Sequence, residues 1–485
     1  MKSQSQRESV HARLAACPDF DVTRGQYANL CISNADSDEL VINSYASIGD
    51  DADKVYAHLI EALRSTSAAR KVARGHARVS MPYASVVFPD VAFAAPLIRS
   101  KKLFLRPMLR ELLWFLRGDT NIEYLKRFNV NIWDGWVDPA TAKYELLTWS
   151  ERVRILHKEN KHVGWDAILA KHPDDLEAQS AWLDSCGIPT HRLVAGELGP
   201  VYGAQWRRAE DVVITKSHST GTDEVSRLTE LGYTVVGVSS EGTLIMRAFK
   251  DQLGCALNLL QDDPGSSRML VNAWHPGQTD HMRLPPCHFA FQFVVGRHVK
   301  AAMRVPFASE QCLSHARTIS RDRIADDIEN ETPYLHLDVV QRSVDTLLGL
   351  PFNWASYSTM LMLISEITGI RAGSLNYSMH DVHFYENQNP NDELLTVINQ
   401  NRKLRSRAHD QNFTLEQVHA QVPRIKIVLP ESVQAQYAAD PTMSYKDKLD
   451  VFLSEVMDLP DAELFEVFQY NYVDPMPEVK FPVSV

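Results

Sequence analysis

The chain has 485 residues, 45% of them hydrophobic and 23% charged, with a formal net charge of −11. That is enough apolar material for a sizeable core, and the acidic balance argues against a nucleic-acid polymer or an anionic membrane surface as main partner, since both need a basic face. The six cysteines (Cys17, Cys31, Cys186, Cys255, Cys287, Cys312) are scattered without a CxxC pair, and no apolar run is long enough for a secretory leader or a membrane span, which argues against a disulfide framework, a zinc site or any other metal centre and points to a reducing cytoplasm.

Residues 1 to about 70 carry no chemical motif; a helix is expected over 50–65, with Val55, Ile60 and Leu63 roughly on one face. Arg70, Lys71, Arg74, His76 and Arg78 then precede a strand-like stretch at 79–87. A solvated charged face or a phosphate contact would both fit this run. The spacing predicts a helix over 106–117, with Pro107 in its first turn and Gly118 at its end. Met108, Leu109, Leu112, Leu113, Phe115 and Leu116 make its buried face, and Glu111 sits at the edge. A carboxyl among such neighbours costs free energy unless it is paired, so Glu111 is either an exposed flank residue or a functional one.

Residues 119–122 are expected to cap the next helix. Trp133 and Trp136 suit a core, or the floor of a pocket for a flat heterocycle. Residues 138–196 read as an inserted helical segment, with helices near 149–157, 165–170 and 176–182. Residues 197–207 read as a glycine- and proline-rich loop. A small α/β insert follows: strand 212–215, helix 223–231, strands 234–238 and 244–247. A helix over 248–260, a polar turn at 262–268 and a strand into 272–275 complete this part.

The stretch 283–296 has a distinct character. Leu284, Pro285 and Pro286 form a stiff lead-in that cannot be mid-helix. Cys287 follows, and then Phe289, Phe291 and Phe293 alternate with Ala290 and Gln292 at the period of a strand. By that count Cys287 shares the phenylalanine face. A cysteine held between rigid backbone and a packed strand suits a nucleophile, although an inert core thiol is the commoner occupant of an apolar strand. Polar stretches near 301–334 and 390–420 flank a strand at 335–340, a strongly apolar helix at 355–367 and a strand ending at 380–385.

Taken in order, Glu-Leu-Leu-Trp-Phe-Leu (111–116), Gly-Asp-Thr-Asn-Ile (118–122), Asn-Ile-Trp-Asp (131–134), Leu-Gly-Pro-Val-Tyr-Gly-Ala-Gln-Trp-Arg (198–207), Pro-Pro-Cys-His (285–288), Gln-Arg-Ser-Val-Asp (341–345), Leu-Gly-Leu-Pro-Phe-Asn-Trp-Ala-Ser-Tyr (348–357), Asp-Val-His-Phe-Tyr (381–385) and Pro-Val-Ser-Val (482–485) resemble the thymidylate synthase family. The resemblance implies an α/β (α+β) fold, a sheet packed by helices, that forms a homodimer. It implies an extension at 1–70 and a catalytic domain at 71–485, interrupted by insertions near 138–196, 208–245, 301–334 and 390–420.

It also implies transfer of one carbon from 5,10-methylenetetrahydrofolate to C5 of dUMP. Cys287 would be the nucleophile, Glu111 the proton-handling carboxylate, and Tyr202 and His288 members of its polar network. Arg342, favouring the thiolate, would also bind the phosphate with Ser343, Gln341 would be a further substrate-binding residue, and Arg74, or its rival Arg78, would replace the usual N-terminal arginine. Arg268 would reach across the dimer interface, although Ser267 stands where the family has a second arginine. Asn353 would read uracil, since its amide can both accept from N3–H and donate to O4. His383 and Tyr385 would hold the sugar. Lys101, Trp133, Trp136, Leu284, Asp345, Leu348, Gly349 and Phe352 would surround the folate, and Val485 would close over it. Two other readings stay open: a dUMP hydroxymethylase, in which water replaces hydride, and a catalytically dead relative that only binds nucleotide.

Overall fold

The computed structural model describes residues 29–33, 40–45, 52–65, 71–73, 76–88, 90–92, 94–137, 143–158, 161–188, 191–194, 196–296, 333–388 and 423–468. Arg74, Val485 and nearly all of the polar stretches near 301–334 and 390–420 lie outside them. The chain divides into two compact units. One is Met1–Leu113 with Cys255–Val271 and Cys287–Val485; the other is Trp114–Gly254 with Asn272–Pro286.

The first unit is built on a mixed sheet. Its strand order is Leu270–Asn272, His288–Gly296, Tyr334–Gln341, Arg371–Tyr385, His76–Phe88, Asn29–Ser33 and Leu40–Tyr45. Tyr334–Gln341 and Arg371–Tyr385 run parallel, and parallel neighbours need a crossover. The helix Leu350–Thr368 provides it. It is apolar on almost every side, and Leu350, Trp354, Leu361, Leu363 and Ile364 are buried along its length. The buried Ser358 and Thr359 hydroxyls are satisfied by donating to the Ala355 carbonyl at 2.9 and 2.7 Å. The expected α/β class is the observed one.

This helix begins five residues before the start expected from the sequence. The Gly-Leu-Pro run looks like a breaker, but proline fits the first turn, where an N–H has no helical partner anyway. Pro351 stands there, and the Asn353 N–H already donates to the Gly349 carbonyl at 3.0 Å. Gly369 ends the helix in the left-handed conformation, at φ 72°.

The helix Leu105–Arg117 carries Glu111. Beside Glu111, the Arg110 side chain is 1% exposed. Its Nε donates to Asp461 Oδ1 at 2.5 Å and its Nη1 to the Met457 carbonyl at 3.0 Å, and Nη2 reaches the Leu459 carbonyl. Arg106, one turn earlier, meets the other Asp461 oxygen at 2.6 Å. Two arginines at i and i+4 thus clasp one carboxylate just beyond the C-terminal end of the helix Tyr445–Val456. Arg110→Ala would leave these acceptors without a buried donor. Unfolding in guanidinium should show a loss of roughly 3 kcal/mol; an unchanged midpoint would remove Arg110 from the stability of this unit.

In the second unit, Ala209–Ile214, Leu244–Lys250 and Thr234–Val238 form an antiparallel sheet, and the helix Asp223–Glu230 shares a core of Val225, Leu228, Tyr233, Leu244 and Met246 with it. The order strand, helix, strand, strand is as expected. The strand Leu244–Lys250 runs longer than predicted, because Ala248 and Phe249 stay paired with Asp211 and Glu210. The following helix, expected from 248, therefore starts at Gln252, with Asp251 Oδ1 accepting from the Gly254 N–H at 2.7 Å. Trp149–Lys158, Trp165–Lys171 and Leu176–Ser185 are the expected helices, packed on Leu156, Trp165, Leu183 and Ile188.

Residues 197–207, read as a loop, hold the helix Tyr202–Arg208 in their second half. Gly199 and Pro200 end the loop rather than define the whole stretch. Gly203 is needed for packing: a Cβ there would lie 2.6 Å from the Phe115 carbonyl oxygen. No helix among the described residues is long and apolar enough to cross a membrane.

Candidate active site

Cys287 directly precedes the strand His288–Gly296, is half-buried and carries a thiol. Its carbonyl accepts the Arg342 N–H at 2.8 Å, so nucleophile candidate and arginine are adjacent on neighbouring chains of the sheet. The face expected from strand parity is corrected by a bulge. His288 pairs with Gln341 and Ala290 with Val340, which leaves Phe289 as an extra residue. Phe291 and Phe293 are buried and Phe289 is only half-buried. The alternation therefore does not run through to Cys287, and a bulge at this place re-aims the residues before it.

His288 Nδ1 lies 2.7 Å from the Tyr357 hydroxyl, with the two rings edge to face. Burial pushes His288 down to about 3, so the imidazole is neutral near pH 7. Tyr357 is held well above the usual phenol range, first by burial and then by the Glu111 carboxylate. Glu111 thus shares the electrostatic surroundings of the His288–Tyr357 pair. A phenol that keeps its proton can donate it to Nδ1, which places the ring proton on Nε2.

Gln341, at the end of its strand, is the hub of a second group. Its Oε1 accepts from Tyr377 Oη at 2.6 Å and from Asn353 Nδ2 at 3.2 Å, and its Nε2 donates to the Ser343 carbonyl at 2.9 Å. Asn353 is thereby oriented from behind, with one amide hydrogen committed. The Asn353 oxygen and second hydrogen remain for a ligand that offers one donor and one acceptor.

Asp345 anchors a third group. Oδ1 accepts from the Leu347 and Leu348 N–H groups at 3.2 and 3.1 Å, and Oδ2 from Gln388 Nε2 at 2.8 Å. Lys101 is buried, donates to the Leu347 carbonyl and lies 5.8 Å from the Phe352 ring centre. Burial lowers its pKa to about 7, against the opposing pull of Asp345. Gly349 sits just above this turn, its N–H donating to the Asp345 carbonyl at 3.1 Å.

Asp345 also pairs with His383 across the sheet. His383 is buried, with Nδ1 2.6 Å from the Asp381 carbonyl oxygen, and its ring meets Tyr385 edge to face at 5.1 Å. Arg78, the rival to Arg74 for a phosphate, is ion-paired with Asp381 at 2.8 Å. His380 is exposed, with its ring 5.4 Å from that of Tyr83. Arg268 is exposed.

Tyr202, Trp133, Trp136 and Leu284 belong to the second unit. Tyr202 is buried 4.8 Å from Phe115 and 6.0 Å from Trp133, ring centre to ring centre, and Trp133 lies 6.0 Å from Trp114. Trp136 and Leu284 are half-buried. The first unit by itself brings together Cys287, His288, Gln341, Arg342, Ser343, Asp345, Asn353 and His383 through the contacts above, with Glu111 linked to them by its electrostatic effect on Tyr357.

Four participants carry no role in the sequence reading. Tyr357 lies inside a quoted motif, one helical turn beyond Asn353, and that spacing was its only signal. Tyr377, Asp381 and Gln388 are fixed by strand register and a tight turn, which pattern alone does not give.

A family model described as thymidylate synthase matches residues 54–483. That span covers most of the chain and all the motifs above except the last two residues of the tail. The family's chemistry is the transfer of one carbon to dUMP. The chain belongs to the thymidylate synthase family.

Proposed function

We propose that the protein moves the one-carbon unit of 5,10-methylenetetrahydrofolate to C5 of dUMP and makes dTMP. Cys287 adds to C6 of the base, which turns C5 into a nucleophile. Arg342 favours the thiolate, an assignment that matters because neutral His288 supplies no positive charge. Arg342 and Ser343 take the phosphate, with Arg268 of a second copy, and with Arg74 in the N-terminal role. Glu111, with Tyr202, handles protons on the base. The folate supplies the carbon and, for methylation, the hydride.

The folate-facing residues suit such a molecule. The Asp345 carboxylate has about four acceptor sites and spends three on Leu347, Leu348 and Gln388, which leaves capacity for a donor on a pterin ring. Trp133, Trp136, Leu284, Leu348, Gly349 and Phe352 are proposed to complete its surroundings, with Lys101 beneath and Val485 closing the site. We also propose a homodimer in a reducing cytoplasm, a setting that suits a nucleophilic thiol. The segments near 138–196 and 208–245 are proposed as insertions into the catalytic domain; their buried residues form two small clusters, with Leu176 of the first segment packed against the cluster of Val225, Leu228, Tyr233, Leu244 and Met246.

One observation carries the base assignment: Asn353 is held by Gln341, itself held by Tyr377 and Ser343, so an amide rather than an acid faces the ligand. The deciding experiment is product identity. After mixing with dUMP and methylenetetrahydrofolate, dTMP and dihydrofolate should form in equal amounts. Hydroxymethyl-dUMP with tetrahydrofolate would overturn methylation and keep the family chemistry. No product at all, with dUMP still bound, would make the chain a binding protein.

A further inference from the structure

Asp381 has a left-handed backbone, φ 46°, inside the strand Arg371–Tyr385. Aspartate adopts that conformation more readily than most residues with a Cβ, but inside a strand it marks a local constraint. The register explains the place. His380 faces Tyr83 and Val382 faces Met81, so Asp381 lies across from Pro82, which has no N–H to offer the ladder. The Asp381 carbonyl is used instead by His383 Nδ1, at 2.6 Å. A carbonyl only accepts, so Nδ1 carries the proton. Burial keeps His383 below the usual histidine range, and a neutral ring protonated on Nδ1 presents Nε2 as an acceptor. Among the described residues no hydrogen bond takes Nε2.

The Asp381 carboxylate is fixed by Arg78, Nη1 to Oδ2 at 2.8 Å, with the two side chains 15% and 31% exposed. Arg78 stands opposite Tyr385 on the neighbouring strand. We propose that Arg78 is a positioning residue: its ion pair holds the left-handed Asp381, whose carbonyl sets the tautomer and aim of His383, and so fixes the acceptor nitrogen offered to the 3′-hydroxyl of the nucleotide sugar. This rests on the reading of His383 as a sugar ligand, and it gives Arg78 a task other than touching phosphate.

The test is calorimetric titration of the full chain with dUMP and with its 3′-deoxy analogue. The wild type should prefer dUMP by about tenfold, the worth of one well-placed hydrogen bond. Arg78→Met should reduce that preference to about twofold while leaving the analogue's affinity nearly unchanged. Asp381→Asn provides a second route, because asparagine tolerates the left-handed backbone yet forms no ion pair; it should lose the preference in the same way. Arg78→Lys, which keeps the charge, should restore most of it. If both variants weaken the two ligands equally and keep the ratio, Arg78 binds phosphate or merely supports the fold, and the proposal is overturned. If the wild type itself shows no preference, the assignment of His383 fails, a result distinct from failure of Arg78 alone.

Discussion

Cys287→Ser is expected to lower turnover on the order of 10⁴-fold or more while leaving dUMP affinity within a few-fold of the wild type. A serine hydroxyl is close in size to the thiol but hardly ionises near neutral pH. His288 is engaged with Tyr357 through Nδ1, and the Glu111 carboxylate acts electrostatically on the same tyrosine. The fold should survive, because what seats this position is backbone. The Arg342 N–H donates to the residue-287 carbonyl, and Pro285 and Pro286 fix the approach. Intact-protein mass spectrometry should show a nucleotide adduct on the wild type and none on the variant. Ordinary turnover by Cys287→Ser would remove covalent catalysis from the proposed mechanism.

The second large effect is on base choice. Asn353→Asp should lower kcat/KM for dUMP on the order of 10²–10³-fold and make dCMP the better substrate. Aspartate is acceptor-only near neutral pH. It cannot donate to uracil O4, and it would set a carboxylate oxygen against Gln341 Oε1, where the asparagine now donates at 3.2 Å. Cytosine replaces O4 with an amino donor, which a carboxylate accepts. Competition between dUMP and dCMP in one reaction reads the ratio directly. A wild type that already prefers dCMP, or a variant that still prefers dUMP, would refute the base-reading argument.

Cys287, Glu111, Gln341, Asp345 and Asn353 were picked out by the family resemblance of the short motifs they stand in; residue pattern alone left Cys287 and Glu111 open to a structural reading and did not single out the other three. The elements of the core were legible too, since the helix Leu350–Thr368 and the strand Tyr334–Gln341 are apolar well beyond any loop. What was missed depends on register or distance. Strand parity failed at the bulge beside Cys287, because one extra residue is invisible to a period-two count. The helix Tyr202–Arg208 was hidden by its glycine and proline neighbours. The left-handed Asp381 and its ion pair with Arg78, on a strand about three hundred residues earlier, depend on a register that sequence pattern does not carry.

The clasp of Arg110 on Asp461 has a consequence for how the enzyme comes into being. The two residues are 351 positions apart, while Arg110 is the immediate neighbour of Glu111. A ribosome completes the helix Leu105–Arg117 long before it reaches Asp461. Throughout that interval Arg110 lacks the acceptors that satisfy it in the folded chain, and an amphipathic helix still waits for part of the surface it packs on. Closure across so long a loop is slow to nucleate. The helix Leu105–Arg117 therefore acquires its final seating only late in synthesis, and translation arrested before residue 461 should yield a chain that chaperones hold and dUMP does not rescue.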